Sequence, residues 1–96
     1  MEIRVEEIQR LSHYLEMREI KAEGVVNMVS NPHLDIKLQD EDKILIEYNY
    51  YVVSAHELAK KIGIKIEKSD NCRIASKIWK ARRKAIIKRN PDAWVI

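Results

Sequence analysis

The stretch "LDIKLQDEDKILIEYNYYVV", residues 34–53, decides the fold class. Leu34, Ile36 and Leu38 alternate with Asp35, Lys37 and Gln39. A period of two predicts a half-buried strand. Asp40-Glu41-Asp42 reads as a polar turn, and Lys43 to Val53 as a second strand with Ile44, Ile46, Tyr48, Tyr50 and Val52 on one face and Leu45, Glu47, Asn49, Tyr51 and Val53 on the other. An antiparallel hairpin joins the two.

Working outward from the hairpin, "SAHE" at 54–57 has the form of a capping box, Ser54 accepting from the N–H of Glu57 while the Glu57 carboxylate reaches back. The helix it opens carries Leu58, Ala59 and Ile62 inward and stops at Gly63, a residue suited to the left-handed conformation at a helix end. Ile64 to Lys68 alternates again and predicts a short third strand. On the N-terminal side, Val5, Ile8, Leu11 and Leu15 recur at three- and four-residue steps, an amphipathic helix from Ile3 to about Met17. A weaker helical stretch from Glu19 to Met28 contains Gly24 and closes at Ser30-Asn31-Pro32, giving a helical pair or one bent helix. Ser69, Asp70 or Asn71 caps a long terminal helix that Asn90-Pro91 ends. The expected fold is α+β: one small domain over 1–96 with N-terminal helices, a hairpin plus a short third strand, and a long basic C-terminal helix.

Ninety-six residues with 46% hydrophobic and 34% charged content suffice for one modest core and exclude general disorder. No apolar run approaches the ~18 residues of a membrane span, and the N-terminus is acidic and amphipathic rather than a basic leader. The single cysteine, Cys72, can form no internal disulfide. These features together predict a soluble, cytoplasmic protein that does not use a membrane.

The net charge of +3 conceals a larger imbalance. Residues 1–54 carry six Lys or Arg against eleven Asp or Glu, net −5, while residues 55–96 carry twelve against four, net +8. Such a dipole draws polyanions to one half and repels them from the other. Within the terminal helix, Arg73, Lys77, Lys80, Lys84 and Lys88 fall within about 80° of one another at 100° per residue. No acid interrupts the run from Arg73 to Arg89, although a face made only for solubility would interleave Glu with Lys. Ile74, Ile78, Ala81 and Ala85, widened by Ala75, Trp79 and Ile86, form the stripe expected to face the core. Arg82, Arg83 and Arg89 lie off the basic stripe. Arg82 and Arg89 point into the apolar arc, which requires a bend or a carboxylate from the acidic half.

The expected function is therefore that of a small nucleic-acid-binding accessory or regulatory protein, of a size common in phages and mobile elements. It would dock Arg73, Lys77, Lys80, Arg83, Lys84 and Lys88 on the phosphates of DNA or RNA. A second reading is a non-enzymatic interaction or inhibitor module in which Asp35, Asp40, Glu41, Asp42 and Glu47 of the acidic hairpin bind a basic partner. A third is a ribonuclease-like toxin, for which His56 with Glu57 and the downstream lysines is the candidate grouping of base and electrostatic clamp. Tyr48, Tyr50 and Tyr51 could stack on bases or fill the core. His13, His33 and His56 have no metal-ligand spacing, and no phosphate loop or dinucleotide motif is present, so neither metal nor cofactor is expected. Trp94, Val95 and Ile96 form an apolar tip able to pack on the core or on a second copy as a homodimer. "ELAKKIGI", residues 57–64, resembles the first helix and turn of a helix-turn-helix module, with Leu58, Ala59 and Ile62 inward and Gly63 at the turn. That likeness covers eight residues, and "IKIEK" then stands where a recognition helix would begin.

Overall fold

In a computed structural model the described residues of the chain form three α-helices and a 3-10 turn: α1 (Val5–Ser30), α2 (Leu38–Ile62), α3 (Asp70–Arg89) and the turn Pro91–Trp94. The structure describes residues 4–31 and 36–94. Among these residues there is no strand, so the fold is all-α and the α+β expectation is corrected.

The error lies in the opening stretch. Leu34 and Asp35 fall outside the described residues, Ile36 and Lys37 are irregular, and everything from Leu38 to Ile62 is one helix. Apolar residues are so dense between Ile44 and Val53 that both templates fit, a period of two and a period of 3.6. The buried set decides between them: Asp42, Leu45, Tyr48, Ala55, Leu58, Ala59 and Ile62 recur at helical steps. No glycine or proline breaks the segment, and its 25 residues are too long for one strand. Asp40-Glu41-Asp42, read as a turn, instead lies at the helix start, where Asp40 and Glu41 face the positive end of the peptide dipoles. Ser54, read as a cap, sits in the helix interior.

α2 stops at Gly63, whose φ of 74° is the left-handed conformation and whose N–H bonds back to the carbonyls of Ala59 and Lys60. The alternation of Ile64 and Ile66 reflects an extended linker whose two isoleucines pack on the core, with no strand beside it. α1 is a single helix that runs through Gly24. Of the apolar tip, Val95 and Ile96, like the side chain of Trp94, lie outside the described residues.

Ion pairs Glu7–Lys61 and Lys21–Glu47 join opposite ends of the sequence order, so α1 and α2 are antiparallel. Two apolar clusters hold the hairpin. Leu11, Ala55, Leu58, Ala59 and Ile62 fill one end, covered by Ile64 and Ile66 of the linker. Ala22, Val25, Met28, Leu45 and Tyr48 fill the other, and α3 closes it with Cys72, Ala75 and Ile86. Each fully buried Leu, Ile or Val contributes about 1.5–3 kcal/mol over exposure.

The start of α3 is fixed to α1 by a polar knot. Ser69 accepts from the Cys72 N–H as the N-cap and donates to Glu19 Oε2 at 2.6 Å, while Asn71 and the Cys72 thiol also donate to the Glu19 carboxylate. The Ser69 hydrogen bond is the main reason that Glu19 holds its charge to lower pH than an ordinary glutamate.

Candidate functional site

α3 meets the core through few residues. Cys72, Ala75 and Ile86 are buried and Ser76, Ile78 and Trp79 half-buried, and most of the rest of the helix is exposed. Arg73, Lys77, Lys80, Lys84 and Lys88 are all exposed. At 100° per residue their row is centred about 150° around the helix from the buried face, so it points outward. Its length, fifteen residues at 1.5 Å, is about 22 Å.

The partners of these cations divide the helix in two. Lys77, Lys80, Lys84 and Lys88 make no ion pair among the described residues. Arg73 has only its own helix neighbour Asp70, 3.8 Å away, with both side chains largely in water. Arg82 and Arg89 behave differently. Arg82 lies 3.7 Å from Glu41, and Arg89 donates through Nε and Nη2 to Asp42 at 2.8 and 2.9 Å, with Asn90 Nδ2 adding a third donor at 3.1 Å. Arg82 and Arg89 therefore reach carboxylates of the acidic half, which accounts for their place in the apolar arc. Arg83 is exposed but stands about 100° off the row.

The expected apolar stripe is corrected by the same geometry. Ile74, Ala81 and Ala85 are exposed, and the helix is turned so that Cys72, Ala75, Trp79 and Ile86 face inward with the two paired arginines. Of the two alternatives that the sequence left open for Arg82 and Arg89, a bend or a carboxylate of the acidic half, the second holds, with Glu41 and Asp42 as the carboxylates.

The acidic candidates are not gathered on a hairpin. Asp35 lies outside the described residues and Asp40 is exposed on α2, while Glu41, Asp42 and Glu47 are paired with Arg82, Arg89 and Lys21. Asp42 is buried, and the hydrogen bonds from Arg89 hold its carboxyl below the ordinary aspartate range. A depressed folded pKa gives stability that is present above the unfolded value and is lost as pH falls through the folded one. Replacing Asp42 with alanine is expected to lower the unfolding free energy at pH 7 by about 1–2 kcal/mol, allowing for the water around the guanidinium. Urea denaturation at pH 7 and pH 3 checks this, because the deficit should shrink at the lower pH.

Tyr48 is a core residue whose hydroxyl donates to the Cys72 carbonyl at 2.8 Å and lies 2.8 Å from Ser76 Oγ. Tyr50 is exposed and meets Tyr51 edge-on at a centroid distance of 5.2 Å, and Tyr51 in turn approaches Tyr14 at 6.5 Å. His56 and Glu57 are both exposed on α2. Among the described residues no group of three His, Cys, Asp or Glu side chains is placed to hold a metal ion, and no helix is long and apolar enough to cross a membrane. The helix-turn-helix likeness ends at Gly63. An irregular linker over residues 64–69 separates it from α3, so no recognition helix follows the turn. No family model matches the chain, and no curated protein or solved structure is similar to it.

Proposed function

We propose that this chain is a small non-enzymatic accessory protein that docks the outward face of α3 on the phosphates of a nucleic acid. A cytoplasmic setting belongs to the same reading. The observation that carries it is the contrast within one helix: Arg82 and Arg89 find carboxylates inside the fold, while Lys77, Lys80, Lys84 and Lys88 stand together in water with none. Like charges at three- and four-residue spacing weaken a helix by a few tenths of a kcal/mol per pair. A row of phosphates reverses the sign of that term. Because the cations lie along one line rather than on both flanks of the helix, they hold a single backbone and do not present side chains to base edges, so binding is independent of sequence.

The acidic alternative has less support, since Glu41, Asp42 and Glu47 are each engaged in a pair within the fold. Fluorescence anisotropy with labelled duplex DNA, duplex RNA and single strands tests the proposal. Four to five phosphate contacts at a slope of about −0.9 each on duplex DNA predict a roughly 250-fold fall in affinity between 50 and 200 mM salt. No binding at 50 mM, or binding insensitive to salt, overturns it.

A further inference from the structure

Arg18, on the inner side of α1, is 5% exposed. Its Nη2 donates to the Glu67 carbonyl at 2.7 Å, and among the described residues its buried Nε and Nη1 have no acceptor. A guanidinium cannot release its proton to escape such a setting. Burying its donors unpaired costs more than the one hydrogen bond returns.

The groups around it are cations and hydroxyls. Lys68 of the linker donates from Nζ to Ser76 Oγ of α3 at 3.3 Å, and the Tyr48 hydroxyl shares the same oxygen. The His56 imidazole of α2 is held below its ordinary pKa first by the partial desolvation of its inner edge and then by the charges of Lys68 and Arg18. Two carboxylates are close in sequence. Glu19 spends its oxygens on Ser69, Asn71 and Cys72, and Glu67 offers Arg18 its carbonyl rather than its side chain. Neither Arg18 nor Lys68 has an ion pair among the described residues. Arg18 and Lys68 thus bring donors to one junction where the Glu19 carboxylate, stabilised in part by the Arg18 charge, accepts from Ser69, Asn71 and Cys72 and leaves Arg18 Nε and Nη1 without an acceptor.

We propose that this junction binds a small oxyanion of the phosphate class, free or as the phosphate group of a nucleotide, between Arg18 and Lys68 with His56 at the rim. Several acceptor oxygens on one centre suit donors that arrive from both α1 and the linker. The exposed imidazole and the half-buried Lys68 and Ser76 mark the side from which the anion enters. A bound anion offsets the repulsion on His56, so its pKa rises and binding takes up a proton below neutral pH.

Thermal unfolding in chloride, sulfate and phosphate at one ionic strength, with His56 titrated by NMR, tests the site, and a nucleoside monophosphate arm distinguishes the two sources. Phosphate at tenfold over its Kd is expected to raise Tm by about 5–10 °C and to move the His56 pKa upward. Both effects should vanish in Arg18→Met and in Lys68→Met; if the first variant fails to fold, the second carries the test. Equal stabilisation by chloride, no shift at all, or a response that survives Lys68→Met overturns the proposal. Changing Lys77, Lys80 and Lys84 to Glu should leave the phosphate response intact, and its loss there would place the anion on α3 and overturn the junction site. Failure of nucleic-acid binding leaves these outcomes unaffected, so the two readings fall separately.

Discussion

Truncating Tyr48 to alanine is expected to cost about 3–5 kcal/mol of stability, the range for deleting a buried aromatic ring. A 96-residue domain has roughly 5–14 kcal/mol in total, so the variant should sit close to unfolding at 37 °C. Three features concentrate the effect at this position. Among the described residues Tyr48 is the largest side chain that the fold buries completely. Its ring belongs to the cluster shared by α1, α2 and α3, so its loss leaves a cavity where all three meet. Its hydroxyl bonds to the Cys72 carbonyl and the Ser76 hydroxyl, tying α3 to α2 near the start of α3. Burial raises the phenol pKa, which keeps that hydroxyl a donor into alkaline solution. Tyr48→Phe isolates the polar part and should cost about 1 kcal/mol. Urea denaturation followed by circular dichroism separates the two variants. A Tyr48→Ala protein with an unchanged midpoint would show that α3 is not held at this seam.

The position of Tyr48 also shows why the sequence misled about the fold. Around it, "KILIEYNYY" places apolar or aromatic residues at 44, 45, 46, 48, 50 and 51, so any face drawn through the segment is apolar. Tyrosine and isoleucine favour strands, and the eye follows the alternation. What fixes the helix is tertiary. Ile44 lies against Gly24 of α1, Tyr48 reaches Cys72, and Asp42 needs Arg89, a set that only 3.6-residue spacing delivers together. Legible without that knowledge were the helical character of the first and last segments, the Gly63 stop and a cap among Ser69, Asp70 and Asn71, because each rests on local chemistry of few residues. The candidate face was legible for a similar reason: five cations on one line need only the helix period. Which side of α3 is buried was not, since it is set by carboxylates forty or more residues away.

Changing Lys77, Lys80 and Lys84 together to Glu should weaken nucleic-acid binding by roughly 500-fold at 0.1 M salt. Removing three phosphate contacts worth about 0.9 logarithmic units each at that concentration gives this figure before any added repulsion. The fold should not suffer, because the new carboxylates meet cations along the helix. A carboxylate at position 77 lies four after Arg73, and one at position 84 lies four before Lys88, both stabilising spacings. Circular dichroism should therefore show unchanged or slightly higher helicity, so lost binding cannot be ascribed to lost structure. The internal control is Arg82→Gln. Arg82 belongs to the same helix and carries the same sign, but it is paired with Glu41 on the inner side. Its replacement should change affinity less than threefold. If Arg82→Gln weakens binding as much as a single change in the lysine row, net charge rather than the outward face of α3 governs the interaction, and a docked helix is the wrong description.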